Sequence, residues 1–183
     1  MAKRPRLKGA NLYHHIYAWG NNRRRIFLDE SHFEHYLAFL EHYASVSNID
    51  IIAYGLMKSH IHLFIFDADG DVSKFMNSLH GRYASFFNQV TKQGGHVFGE
   101  RFNNKIVQPN NYGLWLSRYI NRQAVEAGIV DNPKDYRWTS YCAYIGLAAK
   151  GFLKPAVILE QLGDGKDAQQ EYKKFVLGDQ DDP

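Results

Sequence analysis

Residues 49–66 hold two long apolar runs, IDIIAYGLM and HIHLFIF, with only Lys58-Ser59 between them. Two intervening residues leave room for a tight turn and little else, so 49–57 and 60–66 read as paired strands. The neighbouring segments supply what must cover such a hairpin. Residues 12–19 (LYHHIYAW) are rich in strand formers and stop at Gly20-Asn21-Asn22, a turn signal. Residues 30–46 place Phe33, Tyr36, Leu37, Leu40, Tyr43 and Ala44 at helical spacing, with Asp29 or Ser31 as the cap. After an acidic loop, 67–71, residues 72–90 form a second helix with the stripe Val72, Phe75, Met76, Leu79, Tyr83, Phe86 and Phe87, ended by Gln93-Gly94-Gly95. A short strand follows at 103–108, and Pro109-Asn110-Asn111 opens a helix that runs to Ala127 and closes on Gly128.

The order is therefore β-α-β-β-α-β-α. It predicts an α+β ferredoxin-like (RRM-like) fold, an antiparallel sheet with helices packed on one face. With 183 residues, 45% of them hydrophobic and 22% charged, the chain has the length and composition of one folded domain with a small addition. We divide it into 1–129, with a basic N-terminal arm, and 130–183, a C-terminal appendage of short apolar segments (136–147, 155–162), a terminal helix (166–177) and a frayed tail (178–183). No apolar run approaches a membrane span, and the basic start leads into no signal sequence. The single Cys142 excludes a disulfide framework and a cysteine-built zinc site. Together these features predict a soluble protein of a reducing compartment.

The net charge of +3 conceals a strong asymmetry: +7 over residues 1–25, −7 over 26–71, +6 over 72–125, zero over 126–163 and −3 over 164–183. Two basic blocks of this kind suit a polyanionic partner, although solvated surface charge and a basic tail would look the same.

Two constellations can carry chemistry. His60 and His62 flank Ile61, so on a strand the imidazoles share one face about 7 Å apart. Such a pair can hold a divalent metal, or it can be the polar side of a half-exposed strand. On the later helix Leu116, Ile120, Ala124 and Ala127 form the apolar stripe, while Tyr119, Arg122, Gln123 and Glu126 fall on a polar face. Tyr119 and Gln123 are one turn apart. A tyrosine there is a candidate nucleophile, or an amphipathic ring on the rim of the core. The two constellations complement each other. A phenol with a pKa near 10 is a poor nucleophile unless helped, a metal can polarise a phosphodiester, and a hard cation favours an oxygen ligand such as the Gln123 carbonyl.

At this point the chain resembles a known family. Gly55-Leu56-Met57-Lys58-Ser59-His60-Ile61-His62-Leu63 is similar to the HUH segment of the single-tyrosine (IS200-like) transposases. Trp19-Gly20-Asn21-Asn22-Arg23-Arg24, Gly94-Gly95-His96-Val97-Phe98 with Arg101-Phe102, Arg118-Tyr119-Ile120 and Asp135-Tyr136-Arg137-Trp138-Thr139-Ser140-Tyr141 resemble four further segments of that family, in order, over residues 12–146. The last is typical of the branch associated with repetitive extragenic palindromes. The resemblance implies a cytoplasmic prokaryotic enzyme that cleaves and rejoins single-stranded or hairpin DNA. In it Tyr119 would form a 5′-phosphotyrosine and leave a free 3′-hydroxyl, while His60, His62 and Gln123 would bind Mg²⁺ or Mn²⁺. The chain departs from the family pattern in two places: Lys58-Ser59 stands where Pro-Asn is usual, and Glu126 where the palindrome-associated branch carries Arg.

A DNA substrate would account for the basic blocks, since phosphate contacts supply most non-specific affinity. The candidates are Arg4, Arg6, Arg23, Arg24, Arg25, Arg82, Arg101, Lys105, Arg118 and Arg122. Phe98, Phe102 and Trp115 are aromatics that could stack on bases or belong to the core. A nucleic-acid-binding protein without cleavage activity and a metal-dependent hydrolase using water are the alternatives. A monomer and a homodimer are both open.

Overall fold

The computed structural model describes residues 9–148 and 151–178. The expected arm carrying Arg4 and Arg6, and the tail after Gly178, lie outside the described residues.

Four strands form one antiparallel sheet: β1 (Leu12–Trp19), β2 (Ile49–Met57), β3 (His60–Asp67) and β4 (Asn103–Val107), in the order β2-β3-β1-β4. Helices α1 (Glu30–Val46) and α2 (Val72–Thr91) connect them, which gives the ferredoxin-like sandwich. Local chemistry explains the boundaries. The Asp29 carboxylate accepts the His32 backbone N–H at 3.2 Å and starts α1. Asp67, wholly buried at the end of β3, accepts backbone N–H groups from Gly70, Asp71 and Val72 and so turns the chain into α2. The Lys58-Ser59 turn is held from outside. The Lys58 carbonyl accepts from Ile26 and Phe27, and the Ser59 carbonyl accepts from Gly20, so the segment after β1 is clamped to the hairpin tip.

Alternation sends Ile16, Ala18, Ile61, Leu63 and Ile65 to one face of the sheet, where they pack against Phe33, Tyr36 and Leu40 of α1 and Phe75, Leu79 and Tyr83 of α2. The other face carries Tyr13, His15, Tyr17 and Trp19 from β1, and His60, His62 and Phe64 from β3. Here the structure adds to the one-faced layout expected from sequence. Helix α3 (Asn111–Glu126), the short turns α4 (Tyr141–Tyr144) and α5 (Ala156–Leu159), and α6 (Gly165–Leu177) build a second core on this face from Ile52, Phe64, Leu116, Ile120, Tyr141, Tyr144, Ile158 and Tyr172. Residues beyond 130 also line the β2 edge, with Ser140 N–H donating to the Tyr54 carbonyl, Leu56 N–H to Trp138 and Lys154 N–H to Ile51. That pairing covers an otherwise open strand edge.

Helix α3 rests on β2 almost backbone to backbone. A Cβ on Gly55 would stand 2.9 Å from the Ile120 carbonyl oxygen and 3.2 Å from its Cγ2. Gly55→Ala is therefore expected to lower the unfolding free energy by about 1–3 kcal/mol, because the clash is with backbone that cannot rotate away. Urea denaturation of the variant measures this.

Candidate active site

The site lies where α3 leaves part of the sheet uncovered. Register places His60 opposite Trp19 and His62 opposite Tyr17, so both imidazoles and both aromatic rings emerge on the α3 side. Helix α3 has four stripes at i, i+4 spacing. Leu116, Ile120 and Ala124 face the sheet. Ser117 and Asn121 are buried on the side of α6. Arg118 and Arg122 reach the end of α6, and Tyr119 and Gln123 face the open cleft.

The Tyr119 ring stands edge-on to the His62 imidazole, with centroids 5.4 Å apart, and is 38% exposed. Gln123 Oε1 lies 3.4 Å from His60 Nε2, and its amide nitrogen donates to the Tyr119 carbonyl at 3.4 Å. The His60 and His62 rings are 5.3 Å apart. The four residues singled out from sequence are thus brought together, although 57 residues separate the second histidine from the tyrosine.

Each histidine has a further partner. The His60 ring stacks on Trp19 at 4.1 Å, and the Arg23 guanidinium lies 3.9 Å from the centre of the same indole. Two groups so close to one centroid must occupy opposite faces, giving a three-layer stack. Arg23 is placed there by a left-handed turn, with φ of 51° at Asn22 and 59° at Arg23. His62 Nδ1 is 3.0 Å from His15 Nε2. Burial pushes the pKa of His15 down to about 4 and that of His62 to about 2, helped by neighbouring Lys105 and by His15 and His60 respectively. Burial also lowers His60, against the hydrogen bond to Gln123. Burial thus favours the neutral form of all three rings, which leaves nitrogen lone pairs for a ligand. His15 was not picked out from the sequence. Its only local signal was its place on the same alternation as Tyr17 and Trp19.

The expected cations divide into groups. Lys105 on β4 pairs with His15 across the strands and lines the cleft, while Arg23 and Arg101 line an adjoining cavity with Trp19 and Asn103. Arg25 is exposed. Arg82 lies over Phe39 of α1 at 5.3 Å, in the layer on the far face of the sheet. Arg24 packs against Phe87 of α2 at 4.8 Å, with two guanidinium nitrogens buried. Arg118 is 4% exposed and donates to the Phe175 and Gly178 carbonyls at 3.1 and 2.8 Å. Arg122 donates to the Val176 carbonyl and to Glu126, both at 2.8 Å. The physical reason is the partial negative charge at the end of α6, which draws both guanidinium groups inward. Phe98 stacks on His80 at 3.8 Å and Phe102 is buried, so of the three candidate stacking aromatics only Trp115 borders the cleft. Lys58 is the exposed turn residue of the hairpin.

A buried network locks α3 from behind. The Asn121 amide donates to the Tyr172 hydroxyl at 2.8 Å, and that hydroxyl donates to Ser117 at 3.0 Å. The Ser140 hydroxyl donates to Asn121 Oδ1 at 2.8 Å and accepts the Tyr54 backbone N–H at 3.1 Å. Helix α3 is thereby fixed to α6, to the 139–141 segment and to β2 at once.

The family model described as "Transposase IS200 like" matches residues 8–123. The chain belongs to the IS200-like transposase family. It is thus a DNA-processing enzyme by family. Its fold is similar to that of the REP-associated tyrosine transposase solved bound to a REP hairpin, with a TM-score of 0.69 at 12% identity, covering 84% of this chain and 98% of that one. A Deinococcus radiodurans R1 protein named for a transposase matches with a TM-score of 0.46 at 18% identity, over 67% of this chain and 98% of that one. No curated protein matches. No helix among the described residues is long and apolar enough to cross a membrane.

Arg118→Ala is expected to lower the unfolding free energy by about 1–3 kcal/mol by leaving helix-terminal carbonyls unpaired. Lys105→Ala, on an exposed strand position, is expected to stay within about 0.5 kcal/mol of the parent. Chemical denaturation of the two variants side by side checks the contrast.

Proposed function

We propose that this transposase cleaves and rejoins single-stranded or hairpin DNA with Tyr119 as the nucleophile. The observation that carries the reading is the convergence at the cleft: α3 sets the Tyr119 ring against His62 and, one turn on, sets Gln123 Oε1 against His60 Nε2. A pure binding domain has no need of that set. In the reaction the Tyr119 phenolic oxygen bonds to a backbone phosphorus and the P–O3′ bond breaks. The 3′-oxygen leaves and takes up a proton, and the phenolic proton is released. The phosphotyrosine then conserves the bond energy for rejoining, when a 3′-hydroxyl attacks and expels the phenolate.

The donor set fits a divalent cation. Among the described residues no three His, Cys, Asp or Glu side chains form a metal-sized group. Two neutral imidazoles and the amide oxygen of Gln123 would hold Mg²⁺ or Mn²⁺ instead. When bound, such a cation neutralises charge on the phosphate oxygens. His62 presents Nε2 to a ligand only if Nδ1 carries the proton, and His15 Nε2, 3.0 Å away, is the acceptor for it. Arg23, Arg25, Arg101 and Lys105 would take backbone phosphates around the cleft, with Arg4 and Arg6 ahead of the described residues.

With a single-stranded hairpin and Mn²⁺, a covalent protein–DNA adduct that survives denaturing electrophoresis is expected. Tyr119→Phe should abolish it and leave DNA binding intact, and EDTA or the His60→Ala/His62→Ala double variant should also remove it. An adduct in the Tyr119→Phe protein would move the nucleophile elsewhere. Cleavage with no adduct would instead favour water as the nucleophile, and binding with neither would favour a non-cleaving protein.

His15→Phe is expected to weaken Mn²⁺ binding roughly 10–100-fold, while His15→Gln, which retains an acceptor, should hold most of the affinity. Titration followed by the electron paramagnetic resonance signal of free Mn²⁺ distinguishes the two without requiring turnover.

A further inference from the structure

At Tyr119 the cleft widens into a cavity of about 340 Å³, lined by His15, His62 and Tyr119 of the site and, beyond them, mainly by aromatic rings. Tyr17 of β1 forms one side, and Tyr112 and Trp115 of α3 form another, with Lys105 of β4 also in its lining. Tyr112, Trp115 and Tyr119 are spaced i, i+3, i+7, so the aromatic wall and the nucleophile belong to one face of one helix. Tyr112 is 50% exposed, so its ring is open to a partner in the cavity. Trp115 is braced from behind, its ring meeting Phe175 edge-on at 4.9 Å with the Arg118 guanidinium at 5.3 Å. Trp19, also in the lining, has both faces occupied by His60 and Arg23 and can offer only an edge.

A phosphodiester needs cations and N–H donors, whereas beyond the two histidines this surface offers π-faces with one ammonium among them. The ligand that combines apolar faces, polar edges and an adjacent anionic backbone is a nucleotide with an unpaired base. Resting on the single-strand reading above, we propose that this cavity holds the unpaired nucleobase next to the phosphate that Tyr119 attacks. Tyr112 and Trp115 supply its stacking surface, and Lys105 meets the neighbouring phosphate. The base would hold the strand at a fixed distance from Tyr119, since stacking residue and nucleophile share one rigid helix. A duplex cannot offer a base to such a cavity without unpairing it, which would restrict the site to single strands.

The test compares a fluorescent oligothymidylate with an abasic strand of equal length and backbone charge, by anisotropy at one salt concentration. The parent protein should bind the base-bearing strand more tightly. Trp115→Ala should weaken that strand by roughly five- to a hundredfold while leaving the abasic strand unchanged. Tyr112→Ala, at an exposed position where folding is not at risk, should act in the same direction. Lys105→Ala should weaken both strands alike. Equal binding of the two strands by the parent, or an unchanged preference in both aromatic variants, overturns the base cavity and leaves the single-strand reading standing. Binding of neither strand overturns both.

Discussion

Everything about the site depends on how closely α3 can approach β2. Helix and strand meet at Gly55, where the absence of a side chain lets the Ile120 carbonyl come nearly to van der Waals contact with the sheet. Sidedness follows from that contact. Once Leu116, Ile120 and Ala124 are pressed to the sheet, helical geometry turns Tyr119 and Gln123 toward the two histidines of β3 and turns Ser117 and Asn121 toward α6. A helix one side chain further out would carry the same residues and leave Gln123 out of reach of His60.

The periodic part of this arrangement was readable in the sequence. Strict alternation put His60 and His62 on one face, and a spacing of four put Tyr119 above Gln123. Two apolar runs divided by Lys58-Ser59 gave the hairpin. Helix starts near Asp29 or Ser31 and at Pro109-Asn110-Asn111 followed from side chains that cap a helix by a local hydrogen bond, and the structure selects Asp29 and Asn110. Such features are governed by neighbours within a few residues, so a one-dimensional string contains them. What escaped was set by distant partners. His15 and His62 are 47 residues apart, and nothing near His15 announces the imidazole opposite it. Arg118 and Arg122 were read as candidate phosphate contacts, because the carbonyls that receive them come from the end of α6, more than fifty residues later. The second core was hidden for the same reason: short segments such as 141–144 and 156–159 have no period of their own.

The basic blocks also take on a different meaning once folded. Arg82 and Arg24 belong to the helical layer on the far side of the sheet, and Arg118 and Arg122 are engaged inside the protein. The cations left around the cleft are few and come from three places: the turn after β1, the loop before β4 and β4 itself. The acidic helix α1 lies behind the sheet, in part neutralised by Arg137, which reaches both Glu30 and Glu34. The acidic side chains of α1 thus lie on the face of the sheet away from the cleft, in a layer where α2 carries only the basic Lys74 and Arg82.

The hydrogen bonds from Asn121 and Ser117 to Tyr172 have a consequence in time as well as in space. A ribosome working from the N-terminus has made both histidines, the tyrosine and the glutamine by residue 123, yet the hydroxyl and carbonyls that seat their helix arrive only with residues 172–178. Between residues 123 and 172 the growing chain therefore holds all four cleft residues before the Tyr172 hydroxyl that braces α3 has been made.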